Sequence, residues 1–109
     1  MFKLDLEALS LNKAYRGRRF TTPDLKTFKT NLNFVLPKLQ LPSGKLSVRY
    51  VFGVSSKRSD ADNLIKCFQD GLADKYGFND CMIYEIYVKK EDVSVGREFI
   101  KFDILPFVE

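Results

Sequence analysis

The chain contains no histidine and no tryptophan, only two cysteines, and four prolines and six glycines in 109 residues. Each scarcity excludes something. Without His there is no Ser-His-Asp or Cys-His nucleophile and no imidazole-ligated metal. Cys67 and Cys81 lack the spacing and the partners of a zinc site, and both are expected as small buried thiols. No apolar run approaches the roughly 20 residues that cross a bilayer. The opening "MFKLDLEAL" alternates where a signal peptide would be continuously apolar, so the expected location is cytoplasmic. No linker, repeat or low-complexity tract divides the chain, and residues 1–109 are expected to form one domain. Any chemistry must rest on carboxylates and lysine.

What is present is an ordinary globular composition, 45% hydrophobic and 29% charged, with the charge unevenly placed. Residues 1–58 carry 12 Lys/Arg against 3 Asp/Glu, a balance of +9. Residues 59–109 carry 6 against 11, a balance of −5. A basic surface for a polyanion beside an acidic region with another task is the reading this suggests. A solvated face is the bland alternative.

Residues 2–8 alternate, with Phe2, Leu4, Leu6 and Ala8 on one side, as a half-buried strand does. The polar, basic "SLNKAYRGRRFTT" follows as a loop with Gly17 at its turn. Thr22-Pro23-Asp24 is a helix start: hydroxyl N-cap, Pro at the first position, acid in the first turn. Leu25, Phe28, Leu32 and Val35 form its apolar stripe, and Pro37 stops it. "KLSVRYVFGV" is a strand with Leu46, Val48, Tyr50, Phe52 and Val54 on one face. A second helix is expected from about Asp62 to Lys75, burying Leu64, Ile65, Phe68 and Leu72. A strand near 82–90 and a hairpin turn at 94–97 lead to a last strand, "EFIKFDILPF", with Ile100, Phe102 and Ile104 inward. The order β-α-β-α-β-β implies an α+β fold, two helices packed on a four-stranded mixed sheet. Tyr84, Tyr87, Phe99 and Phe107 are expected in the core.

"RSDADNLIKCFQDGLADKYGFND", residues 58–80, brackets the second helix with acids. Asp60 and Asp62 are two apart just before it, so in extended backbone both point the same way. Lys66 lies four residues after Asp62, on the same helical face. Asp80 joins them if the following strand begins beside the helix N-terminus. Three convergent carboxylates would repel unless a hard divalent cation, Mg²⁺ or Mn²⁺, held them together. Lys66 would then meet a phosphate oxygen. Capping accounts for the same residues: Ser59 as N-cap with Asp62 three on, an Asp62–Lys66 surface pair, and Asn79-Asp80 as a turn. Spacing alone leaves both open.

Asp60-x-Asp62-Asn63-x-x-Lys66, continuing through Asp70 and Leu72 to Asp80 before an apolar strand, resembles the RusA family of Holliday-junction resolvases. The basic "LNKAYRGRRF" is similar to that family's loop between first strand and first helix. In element order the resemblance spans nearly the whole chain; only the central 23 residues carry specific motifs. It implies a small homodimeric endonuclease that resolves four-way DNA junctions with Mg²⁺, Mn²⁺ substituting, and with no small-molecule cofactor and no membrane partner. Asp60, Asp62 and Asp80 match its metal-binding acids and Lys66 its essential lysine. Many members carry two acids in a row at the later position; here Asn79 precedes Asp80, one carboxylate fewer for a second ion.

Lys13, Arg16, Arg18 and Arg19 around Tyr15, with Lys57 and Arg58 beside the acids, are the expected phosphate contacts; Lys26 and Lys29 would extend the track. Two other readings stand: a non-catalytic basic nucleic-acid-binding domain, and a nuclease for RNA or single strands using the same metal chemistry.

Overall fold

A computed structural model describes residues 1–16 and 20–109, with only the backbone of Arg16 and Phe20. Within them six strands and three α-helices follow in chain order. β1 (Phe2–Leu4) leads to a one-turn helix α1 (Leu11–Ala14), then the two-residue strands β2 (Tyr15–Arg16) and β3 (Phe20–Thr21). Helix α2 (Pro23–Val35), strand β4 (Leu46–Val54), helix α3 (Ala61–Tyr76), strand β5 (Ile83–Asp92) and strand β6 (Phe99–Pro106) complete it. β1, β6, β4 and β5 lie in that order in one sheet; β5 runs parallel to β4, and the other pairs are antiparallel. The class is the expected one, α+β with a four-stranded mixed sheet.

The local signals act as their chemistry requires. Thr22 is the N-cap of α2 and Pro23 its first residue, where a missing N–H costs nothing. The helix ends at Val35, two residues before Pro37. Gly77, at φ 71°, terminates α3 in the left-handed region that a side chain disfavours. On β4, Leu46, Val48, Tyr50, Phe52 and Val54 are all buried, and all but Leu46 belong to the core shared with the helices. Tyr50, Phe52, Phe68 and Phe102 form the centre, with the Phe68 ring edge-on to the other three at 5.2–6.0 Å. Such contacts add about 0.5–1.5 kcal/mol each beyond the burial itself. α3 comes close to α2 where Gly71 leaves room for Leu32.

Several expectations change. The first strand stops at Leu4, and Leu6 and Ala8 pack against the core outside any strand. The segment read as a loop contains α1, β2 and β3; Ser10 caps α1, and Ala14 is fully buried. A helix this short has no periodicity to detect, so its amphipathic pattern could not announce it. Gly17 lies outside the described residues. Leu36, not Val35, continues the α2 stripe, because it falls within about 20° of Leu25 on the helical wheel and Val35 about 80° away. Phe99 is buried, but Tyr84 and Tyr87 are exposed on β5, the edge strand of the sheet, which no further strand pairs on its outer side among the described residues. Cys67 is buried while Cys81 is exposed, since Cys81 falls in a surface turn between α3 and β5.

Candidate active site

β4, α3 and β5 form a parallel crossover, so α3 starts at the Val54 end of the sheet and β5 starts at the Leu46 end. The short loop after β4 exposes Lys57 and Arg58 and delivers Asp60 to the helix entrance. There Asp60, not Ser59, is the N-cap residue, and its side chain makes no capping hydrogen bond. Its Oδ2 accepts only a long 3.4 Å contact from the Asn63 amide. Asp62, in the first turn, has no ion pair or side-chain hydrogen bond among the described residues. Both carboxylates are exposed.

Lys66, one turn further on, turns away from Asp62. Its Nζ donates to Asp70 Oδ1 at 2.9 Å and lies 3.7 Å from Asp80 Oδ2. The hydrogen bond to Asp70 is the main reason its ammonium is held above the ordinary lysine range; partial burial opposes this, and the charges of Asp70 and Asp80 add to it. Asp80 arrives through a 3-10 turn, Asp80–Met82. The capping role in that turn belongs to Asn79, whose Oδ1 accepts from the Cys81 N–H at 3.1 Å. The Asp80 carboxylate is thereby left to reach Lys66. It also bears on Tyr50, whose hydroxyl is pushed far up by burial first and by the Asp80 charge second.

The contact that Asp80 makes is with Lys66, one turn into α3, and no hydrogen bond joins it to Asp60 or Asp62 among the described residues. Because β5 runs parallel to β4, the far end of β5 lies beside the Val54 end of the sheet, where α3 begins. At that end Lys90 Nζ donates to the Ser59 carbonyl at 2.7 Å, fastening the loop that carries Asp60. Among the described residues no three of His, Cys, Asp or Glu stand close enough together to hold a metal ion.

Of the basic residues, Lys13 is brought to the site. It lines a cavity of about 140 Å³ with Glu7, Ser10, Ser55, Ser56 and Ser59, at the loop that enters α3. Lys29 lies 3.9 Å from Asp74 of α3, which partly neutralises it. Lys26 is exposed on α2. Arg18 and Arg19 lie outside the described residues, as does the side chain of Arg16. Sequence reasoning passed over Asp70 as a site residue, although its i,i+4 spacing from Lys66 signals the pair. Lys90 has no local signal at all, because its partner is 31 residues away.

No protein-family model matches the chain, and no curated protein matches it.

Proposed function

We propose that the chain is a metal-dependent, structure-selective DNA endonuclease that resolves four-way junctions, acting as a homodimer. One observation carries the reading: although Asp60 is the N-cap residue of α3 and Asp80 opens a turn, none of these acids spends its carboxylate on a capping hydrogen bond among the described residues. Asp60 and Asp62 stand exposed at the entrance of α3, and Asp80, 18 residues after Asp62, returns to Lys66 on the same helix. The resemblance of Asp60-x-Asp62-Asn63-x-x-Lys66 and Asp80 to the RusA pattern supports the same assignment.

The donors suit the ion in kind. Asp60, Asp62 and Asp80 offer hard carboxylate oxygens of the sort Mg²⁺ and Mn²⁺ take, and the ion would have to draw together three carboxylates that this structure does not gather. The competing Lys66–Asp80 contact is exposed on both sides and at 3.7 Å is not a hydrogen bond. Pairs of that kind contribute about 0–1 kcal/mol, so releasing Asp80 from Lys66 costs little. When bound, Mg²⁺ supplies charge that activates water and offsets the negative phosphoryl oxygens. Lys66, kept protonated by Asp70, donates to a non-bridging phosphate oxygen and stabilises the charge that grows there. Lys13, Lys57 and Arg58 hold flanking phosphates without reading bases. Arg16, Arg18 and Arg19 extend that contact along the backbone.

A second reading, a basic nucleic-acid-binding domain without catalysis, is favoured by the absence of a gathered three-carboxylate group among the described residues. One experiment separates them: nicking of a synthetic four-way junction with Mg²⁺, with Mn²⁺ and with chelator. The nuclease reading expects paired nicks only with the cation, a loss of about 100-fold or more in Asp62→Asn and in Asp80→Asn, and retained junction binding. Cleavage that survives both substitutions, or salt-sensitive binding with no cleavage under any cation, overturns it. A panel of duplex, single-stranded and RNA substrates then sets the substrate class.

A further inference from the structure

The sheet has two edges, and they are built differently. β1 is three residues long, too short to template a neighbour. β5 is ten residues long, contains no proline, and pairs with β4 on one side only; its single irregularity lies at the start, opposite Leu46/Ser47. Tyr84, Ile86 and Tyr87 on it are 56%, 45% and 53% exposed. The edge is long and, after its first residues, regular, with apolar residues at 83, 84 and 86–88 and charged ones at 85 and 89–92, and its outer side presents N–H and C=O groups that no strand pairs among the described residues.

The side chains of β5 are self-complementary in one register. Glu85, Tyr87 and Lys89 pair with Ser47, Arg49 and Val51 and share the face without helices; Ile86 and Val88 share the other. A two-fold axis normal to the sheet must place like-facing residues opposite each other. With the axis at Tyr87, Tyr87 meets its own copy, Glu85 faces Lys89 of the second copy twice over, and Ile86 faces Val88 twice over. Moving the axis to Val88 sets Glu85 against Glu91 and Ile86 against Lys90. Moving it to Ile86 leaves Glu85 facing Tyr87 twice over. Of these three, the Tyr87 register alone sets opposite charges together and apolar residues together from Glu85 to Lys89; within one chain Glu85 also accepts from the Ser47 hydroxyl, and Lys89 lies 3.3 Å from Glu91. The Arg49 guanidinium, 5.2 Å from the Tyr87 ring centre, holds that ring in place beforehand.

We propose that two copies of this chain pair antiparallel along β5 with Tyr87 at the two-fold axis, joining their sheets into one of eight strands. The nuclease reading expects a dimer, and this names its surface, but the argument rests on β5 alone. The test is sedimentation velocity of the purified chain without DNA or divalent metal, so it cannot fail merely because cleavage does. The wild type is expected as a dimer. Lys89→Glu and Glu85→Lys, each creating two like-charge pairs, shift dissociation by about tenfold or more toward monomer. The double variant Glu85→Lys/Lys89→Glu regains the dimer, which no monomer-folding defect would do. A wild type that is monomeric at high micromolar concentration, or a dimer indifferent to both single swaps, overturns the proposal.

Discussion

β4 and β5 are neighbouring parallel strands of similar length, yet they live in different environments. On β4 every second side chain from Leu46 to Val54 is buried, and those from Val48 onward join the core with residues of α2 and α3. On β5 Tyr84 and Tyr87 are exposed, and the inward positions are shared between apolar Val88 and charged Lys90. Both read as strands, because alternation reports only that successive side chains point to opposite sides. What covers each side is decided by position in the sheet. β4 sits between two strands, whereas β5 has β4 on one side and no strand on the other among the described residues. An aromatic on β4 is therefore core, and one on β5 is surface available to a partner.

The largest expected effect tests that contrast directly. Phe52→Ala removes a fully buried ring that packs against Tyr50 and Phe68, and should lower stability by about 3–5 kcal/mol. Tyr87→Ala on β5 should change the stability of the single chain by no more than about 0.5 kcal/mol. Urea unfolding at low protein concentration measures both, and comparable losses would abolish the distinction between covered and uncovered strand.

A smaller effect separates the two thiols. Cys67 faces the core from α3, and its burial pushes the thiol pKa up, with the Asp70 charge adding to it. Cys81 is exposed at the entry to β5. Native protein should take up one equivalent of a thiol reagent quickly and the second only on unfolding. Two fast equivalents would show that α3 does not seal its face of the sheet.

The smallest concerns the turn that joins β5 to β6. Glu98 is held below the usual carboxylate range, chiefly by the Ser55 hydroxyl and then by backbone N–H groups including that of Gly96. A depressed folded pKa contributes stability that is complete above the unfolded value, about 4.3, and is lost as pH falls through the folded value. Wild type should lose a small increment of thermal stability on acidification that Glu98→Gln lacks. Identical acid profiles would remove that role.

The site divides along the same line as the fold. Asp60, Asp62 and Lys66 were legible together because a helix start imposes their spacing within seven residues. Thr22-Pro23 at the start of α2 and the Leu64/Phe68/Leu72 face of α3 were legible for the same local reason. Asp80 was legible as a residue but not as a contact: its partner depends on β5 running parallel to β4. Lys90 at Ser59 and Lys13 beside Ser55 and Ser56 join segments dozens of residues apart, and nothing in their neighbours announces either.

By itself the sequence determined the class, the long elements and the acid-lysine motif, since each depends on periodicity, caps and turns within about one helix length. Only the tertiary structure decided which acid meets Lys66 and which strand becomes an edge. Those outcomes depend on strand order and direction. Short-range signals leave both undetermined, because either direction of β5 satisfies the same alternation.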